Sequence, residues 1–135
     1  MPEQSGTVLG FDFGSYSTGV AVGQTLTRQA TPLKAIKTND WKSIEKLILE
    51  WRPGRLVVGL PLSMDGDAQE MTERAKRFGR QLEGRFGIET RMVDERLTTR
   101  EAWQIATEQQ QFKSKQELDS MAAALITESW LENEA

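Results

Sequence analysis

The chain has 135 residues, with 17 Lys and Arg against 20 Asp and Glu, a formal net charge of −3, and neither cysteine nor histidine. That length suits one domain around one core, and we expect residues 1–135 to form a single domain. The missing cysteine excludes disulfides and thiolate chemistry. The missing histidine excludes Ser–His and Cys–His triads and removes the commonest metal ligand. An enzyme built on this chain has to work with carboxylates, Lys, Tyr, hydroxyls or backbone, and carboxylates are hard ligands suited to Mg²⁺ or Mn²⁺. No apolar run approaches the ~18 residues of a membrane span, and residues 1–6 lack the basic-then-apolar pattern of a secretory signal. The expectation is a soluble, cytoplasmic protein with no membrane partner.

Residues 7–13 (TVLGFDF) and 18–23 (TGVAVG) read as two strands joined by the turn Gly14-Ser15-Tyr16-Ser17, and so short a connection makes them antiparallel. A third strand over residues 30–37 contains Pro32, which suits an edge. Trp41, Ile44, Leu47, Ile48 and Trp51 then recur at helical spacing, up to the Pro53-Gly54 stop. Residues 55–60 (RLVVGL) form a short continuous apolar run of the kind found in central parallel strands.

Asp67 with Glu70 reads as an acidic variant of the capping box, opening a helix with Met71, Ala75, Phe78 and Leu82 on one stripe. Residues 88–94 (IETRMVD) read as a fifth strand. Thr98 with Glu101 marks a further helix with Ala102, Ile105 and Ala106 inward, residues 108–115 a polar loop, and residues 116–131 a last helix. The order β-β-β-α-β-α-β-α-α predicts an α/β fold: a mixed five-stranded sheet, strands 1–3 antiparallel and strands 1, 4 and 5 parallel, with helices on both faces.

Acids at three places stand out against this frame. Asp12 shares a face of the first strand with Val8 and Gly10. Its position alone fits a ligand-holding carboxylate or a cap on the Gly14 turn equally well. The flanking Gly10, Gly14 and Gly19 leave room for close approach. Asp94 and Glu95 end a parallel strand, the edge where open α/β sheets bind ligands. Being neighbours, only one of the two shares a face with Asp12. Asp119 opens the stripe Ala122, Ala123, Ile126 and Trp130 on the last helix; a helix-dipole role explains an acid there as readily as a metal does. Together the acids suit a pair of divalent ions that orient a water and stabilise a leaving oxygen, a mechanism that needs no histidine.

Phe11-Asp12-Phe13-Gly14 with Gly19-Val20-Ala21-Val22-Gly23, then Val58-Gly59-Leu60-Pro61-Leu62 with Met64-Asp65-Gly66, then Val93-Asp94-Glu95-Arg96-Leu97-Thr98-Thr99, then Lys115 with Asp119-Ser120 and Ala122-Ala123, follow one another along nearly the whole chain. These blocks resemble the YqgF-type family, nucleases of pre-16S rRNA also called Holliday-junction-resolvase-like proteins. The resemblance implies an RNase-H-like fold, trimming of the 5′ end of pre-16S rRNA in the cytoplasm, and a role in ribosome biogenesis, with a pre-ribosomal particle as partner. It carries the catalytic and metal-holding roles onto Asp12, Glu95 and Asp119, with Asp94 as the alternative ligand and two Mg²⁺ or Mn²⁺ ions as cofactors. Junction resolvases proper have an acid at the end of the fourth strand. Leu60-Pro61 stands there in this chain, so Glu95 has to serve from the neighbouring strand.

Arg96, Thr98, Arg100, Lys113 and Lys115 lie near those acids in sequence and are the expected substrate contacts. Arg74, Lys76, Arg77 and Arg80 offer a second basic face, for which a solvated helix surface balanced by Glu70 and Glu73 is the plainer explanation. Two other readings compete with an RNA nuclease. One is a DNA junction endonuclease, which requires a dimer. The other is a non-catalytic factor that holds pre-rRNA.

Overall fold

In the computed structural model of the chain, residues 6–61, 69–95 and 115–134 are described. Strands β1 (Thr7–Asp12), β2 (Ser17–Gln24), β3 (Gln29–Lys37), β4 (Arg55–Leu60) and β5 (Thr90–Asp94) form one sheet in the order β3-β2-β1-β4-β5. β1 pairs antiparallel with β2 and parallel with β4, β2 pairs antiparallel with β3, and β4 pairs parallel with β5. The expected mixed sheet is therefore present, with the Pro32-bearing strand at one edge.

Helices α1 (Trp41–Trp51) and α2 (Glu70–Phe86) cover one face. Leu9, Phe11, Phe13, Val20, Val22, Leu56 and Val58 meet Ile44, Ala75, Phe78 and Leu82 there. α1 begins where Asp40 accepts from the Ser43 amide at 3.2 Å and from its hydroxyl at 2.7 Å. It ends at Arg52, whose left-handed φ of 46° precedes Pro53.

The start of α2 differs from expectation. Its first residue is Glu70, and the cap is Gln69, whose amide donates to the Thr72 hydroxyl at 2.9 Å. Thr72 donates in turn to the Pro61 carbonyl, which ties the helix start to the end of β4. That inward role explains why polar Thr72 is fully buried while Met71 is only half-buried. Asp67, the expected capping partner, lies outside the described residues, as does the expected helix opened by Thr98 and Glu101.

Helix α3 (Lys115–Glu134) covers the other face. Its buried centre is Ser120, Ala123, Ala124, Thr127 and Leu131. Met121, Ile126 and Trp130 are buried as well, so Ala123, Ile126 and Trp130 of the stripe expected from Asp119 lie inside, while Asp119 and Ala122 are only half-buried. Two hydroxyls widen the buried face. Ser120 Oγ accepts from the Val20 amide at 3.2 Å, and Thr127 Oγ1 donates to the Ala123 carbonyl at 2.7 Å. Satisfied in this way, they can face the sheet without the cost of an unmade hydrogen bond.

Candidate active site

The alternation of a strand sends consecutive side chains to opposite faces. Val8 and Val57 lie in the cluster under α3, and Leu9, Phe11 and Phe13 lie in the cluster under α1 and α2. Asp12 therefore stands on the α3 face, as the last residue of the middle strand of five rather than in its interior.

Asp12 is flanked by two glycines. On one side its registered partner in β2 is Gly19. On the other, β4 pairs with β1 up to Phe11 and Val58, so the next residue, Gly59, falls beside Asp12. Neither neighbour presents a side chain, and both vacated spaces are filled. A Cβ on Gly19 would run into the backbone carbonyl of Asp119 and lie 2.8 Å from the Ser120 nitrogen. A Cβ on Gly59 would lie 2.6 Å from Ile126 Cδ1 and 2.9 Å from Glu95 Oε1. The second turn of α3 is thus seated against β2 beside Asp12. The hydrogen bond from the Val20 amide to Ser120 Oγ pins it there, next to the irregularity between Thr18 and Val20 in the β2–β3 ladder.

Glu95 follows the end of β5, and its carboxylate reaches back over β4 at Gly59. Val93, paired with Gly59, belongs to the α3-side cluster. Asp94, paired with Leu60, consequently points to the opposite face. Between the two neighbouring acids, Glu95 is the one on Asp12's side. Its reach over β4 brings a carboxylate to the strand that ends in Leu60-Pro61 and has no acid of its own.

Asp12, Glu95 and Asp119 are half-buried. Among the described residues, no three carboxylates stand close enough to make a preformed metal cage. The donor set itself, oxygen only and without imidazole or thiolate, matches the preference of Mg²⁺ and Mn²⁺. The side chains of the expected substrate contacts Arg96, Thr98, Arg100, Lys113 and Lys115 lie outside the described residues.

Sequence reasoning missed the part played by Gly59. Its only signal is a glycine inside an otherwise continuous apolar strand, which marks a close approach. It also missed a cleft on the opposite face at the same edge, lined by Phe13, Asn39, Arg74, Arg77, Phe78 and Gln81.

A central strand ending in an acid, a mixed sheet in the order 3-2-1-4-5 and a helix seated across its open face define an RNase-H-like α/β domain of the resolvase type. The likeness extends to solved structures. T. thermophilus RuvC in complex with a Holliday junction substrate superposes with a TM-score of 0.61 at 14% identity, over 95% of this chain and 96% of that one. The chain belongs to the family described as "RuvX: Holliday junction resolvase", whose model matches residues 6–133. It is 50% identical to a protein of Aeromonas salmonicida, over 96% of this chain and 97% of the relative. It is also 50% identical to one of Shewanella denitrificans, over 95% of each. Both are named "Putative pre-16S rRNA nuclease".

Proposed function

We propose that the protein is a metal-dependent nuclease that hydrolyses RNA phosphodiester bonds in the 5′-end maturation of pre-16S rRNA, in the cytoplasm and on a pre-ribosomal particle. The observation that carries this reading is the row across the sheet edge: Asp12 between Gly19 and Gly59, with Asp119's backbone over one glycine and Glu95's carboxylate over the other. The relatives that share half of this sequence over nearly its full length supply the substrate.

Asp12, Glu95 and Asp119 are the residues that would hold divalent ions, two in number. Bound there, such ions supply an activated water and neutralise charge on the leaving oxygen. The chain's own contribution is placement. Asp12 is fixed by the middle strand of the sheet. Asp119 is fixed by a helix that has no freedom to approach or retreat while Gly19 and the Ser120–Val20 hydrogen bond hold it. Glu95 sits just past its strand on a longer side chain, and is the most adjustable of the three. Asp94, on the other face, is left out of the site. With a net charge of −3, the protein relies on local contacts rather than a general attraction to hold a polyanion.

The test is incubation with an end-labelled, 5′-extended 16S precursor and with a four-way DNA junction, in Mg²⁺, Mn²⁺ or EDTA, beside Asp12→Asn. Metal-dependent cleavage of the RNA, lost in the variant, is the expected result. Cleavage that survives EDTA, or a variant as active as the parent, would overturn it. A second reading, junction endonuclease, draws on the family's description; symmetric nicking of the DNA junction without RNA cleavage would favour it.

A further inference from the structure

The cleft on the α1 and α2 face has a volume of about 320 Å³. Among the described residues that line it, Arg74, Arg77, Asn39 and Gln81 carry hydrogen-bond donors, and none carries a carboxylate. Arg74, Arg77 and Gln81 follow one another at i, i+3 and i+7 along α2, so they form a single line on the helix surface. Both arginines are exposed, and among the described residues neither has an acidic partner; the nearby Glu73 is taken by Lys76 at 3.8 Å.

Arg74 is held in place from two sides. Its guanidinium lies 5.6 Å from the centre of the Phe13 ring and donates to Ser15 Oγ at 3.3 Å, on the turn that follows β1. Contacts of this kind also hold Arg85 over Trp41 and Arg55 over Trp130, but Arg74 is the one whose guanidinium borders the cleft. Guanidinium and amide donors converging without an acid make an anion site, and the planar fork of arginine suits phosphate oxygens.

The location gives the anion's source. Phe13 in the cleft is the residue after Asp12, and the two side chains leave β1 on opposite faces. The cleft and the acids therefore sit back to back at one sheet edge. We propose that Arg74 and Arg77 bind a backbone phosphate of the same nucleic-acid strand that is cut at Asp12, away from the scissile bond. The proposal rests on the nuclease reading above. A strand that reaches both has to pass round the sheet edge between the two faces, which places the bound phosphate away from the scissile one. Arg74 and Arg77 are positioning residues in this scheme, since they touch the substrate away from the reacting atoms.

The experiment measures binding of a fluorescently labelled, 5′-extended 16S precursor fragment in EDTA as a function of KCl. It compares wild type with Arg74→Gln, Arg77→Gln and the double variant. Lys46→Gln, which removes an exposed charge from α1, is the charge-matched control. Each arginine lost should flatten the log–log salt slope by about 0.7, the value for one phosphate of a single strand. The double variant should bind on the order of tenfold more weakly, and Lys46→Gln should bind as wild type does. In cleavage assays the double variant should raise KM and leave kcat within about twofold, as expected when uniform binding is removed.

A scan of single methylphosphonate linkages should find one, away from the cut, whose neutralisation weakens wild type and leaves the double variant unaffected. Unchanged salt slopes, or the same loss in Lys46→Gln, would overturn the proposal. So would binding of inorganic phosphate in the cleft that does not compete with RNA, because the site would then serve a free anion. The EDTA binding arm is independent of catalysis: an inactive wild type refutes the nuclease reading, and unaltered slopes refute the cleft. Both arginines are exposed, so the variants should melt as wild type does.

Discussion

The sharpest consequence of the structure concerns Gly19→Ala. A Cβ at that position would overlap the carbonyl group of Asp119 and come within 2.8 Å of the Ser120 nitrogen, closer than real Cβ atoms approach. These are backbone atoms of α3, so no rotamer change relieves the clash. The second turn of the helix has to retreat by on the order of 1 Å to restore ordinary contact. Overpacking of a close-packed interior costs roughly 1–3 kcal/mol when side chains can absorb it, so a rigid obstacle places this variant at or above the upper figure. The same retreat stretches the 3.2 Å bond from the Val20 amide to Ser120 and carries Asp119 away from Asp12. A displacement of ~1 Å at a reacting centre is enough to lose about 10²-fold in rate. Denaturant unfolding and single-turnover cleavage of the precursor RNA measure the two effects. A Gly19→Ala protein within about 0.5 kcal/mol of wild type, cleaving at the parental rate, would show that α3 does not sit against β2 at Gly19.

Four other outcomes follow from the same geometry. Gly59→Ala meets only the movable ends of Ile126 and Glu95, so it should cost about 1 kcal/mol or less in denaturant unfolding and lose cleavage out of proportion to that. Gly84→Ala, with no atom within 4 Å of the new Cβ and a helical backbone around it, should stabilise by roughly 0.5–1 kcal/mol in the same unfolding assay. Glu95→Gln should abolish cleavage of the precursor RNA and Asp94→Asn should retain it, because the two acids stand on opposite faces. The Ser43 hydroxyl, followed by the Ser43 amide, holds the Asp40 carboxyl below its ordinary 3.8. A depressed carboxyl stabilises the fold above its unfolded pKa and loses that effect as pH falls through the lower, folded value. Ser43→Ala should therefore shift the Asp40 titration upward when followed by NMR.

Much of the fold was legible in the sequence. The apolar run of β4, the Pro32 that restricts β3 to an edge and the Trp41–Trp51 stripe are each local signals, and each element forms where its signal lies. The misreadings came from polar residues that face inward. Thr72, Ser120 and Thr127 look like surface residues in a hydrophobicity pattern, yet each is buried because a backbone group satisfies its hydroxyl: the Pro61 carbonyl, the Val20 amide and, one turn back on its own helix, the Ala123 carbonyl. Such a partner can be 100 residues away, as Val20 is from Ser120, and no window along the chain reveals it. The site shows the same division. The acids at strand and helix ends were visible as candidates. That Glu95 reaches over β4, while its neighbour Asp94 turns away, depends on which strands pair and in what register.

The glycines around Asp12 read in the sequence as room for close approach, and in the structure what approaches is a helix. Gly10 and Gly23 face Thr127 and Leu131, and Gly19 faces the backbone of Asp119, so three glycines serve to bring one helix against the sheet. Any side chain at these positions would hold α3 further from β1 and β2 and take Asp119 with it. The acid at the helix start and the acid at the strand end are thus brought together by what is missing between them. The same edge of β1 sends Phe13 to the other face, toward two arginines that have no ion-pair partner among the described residues. Around that strand end Asp12 lies on the α3 side and the two guanidiniums on the α2 side. On the proposed reading the first would hold a cation and the second a phosphate, and a protein with net charge −3 can offer the second only by gathering its cations locally.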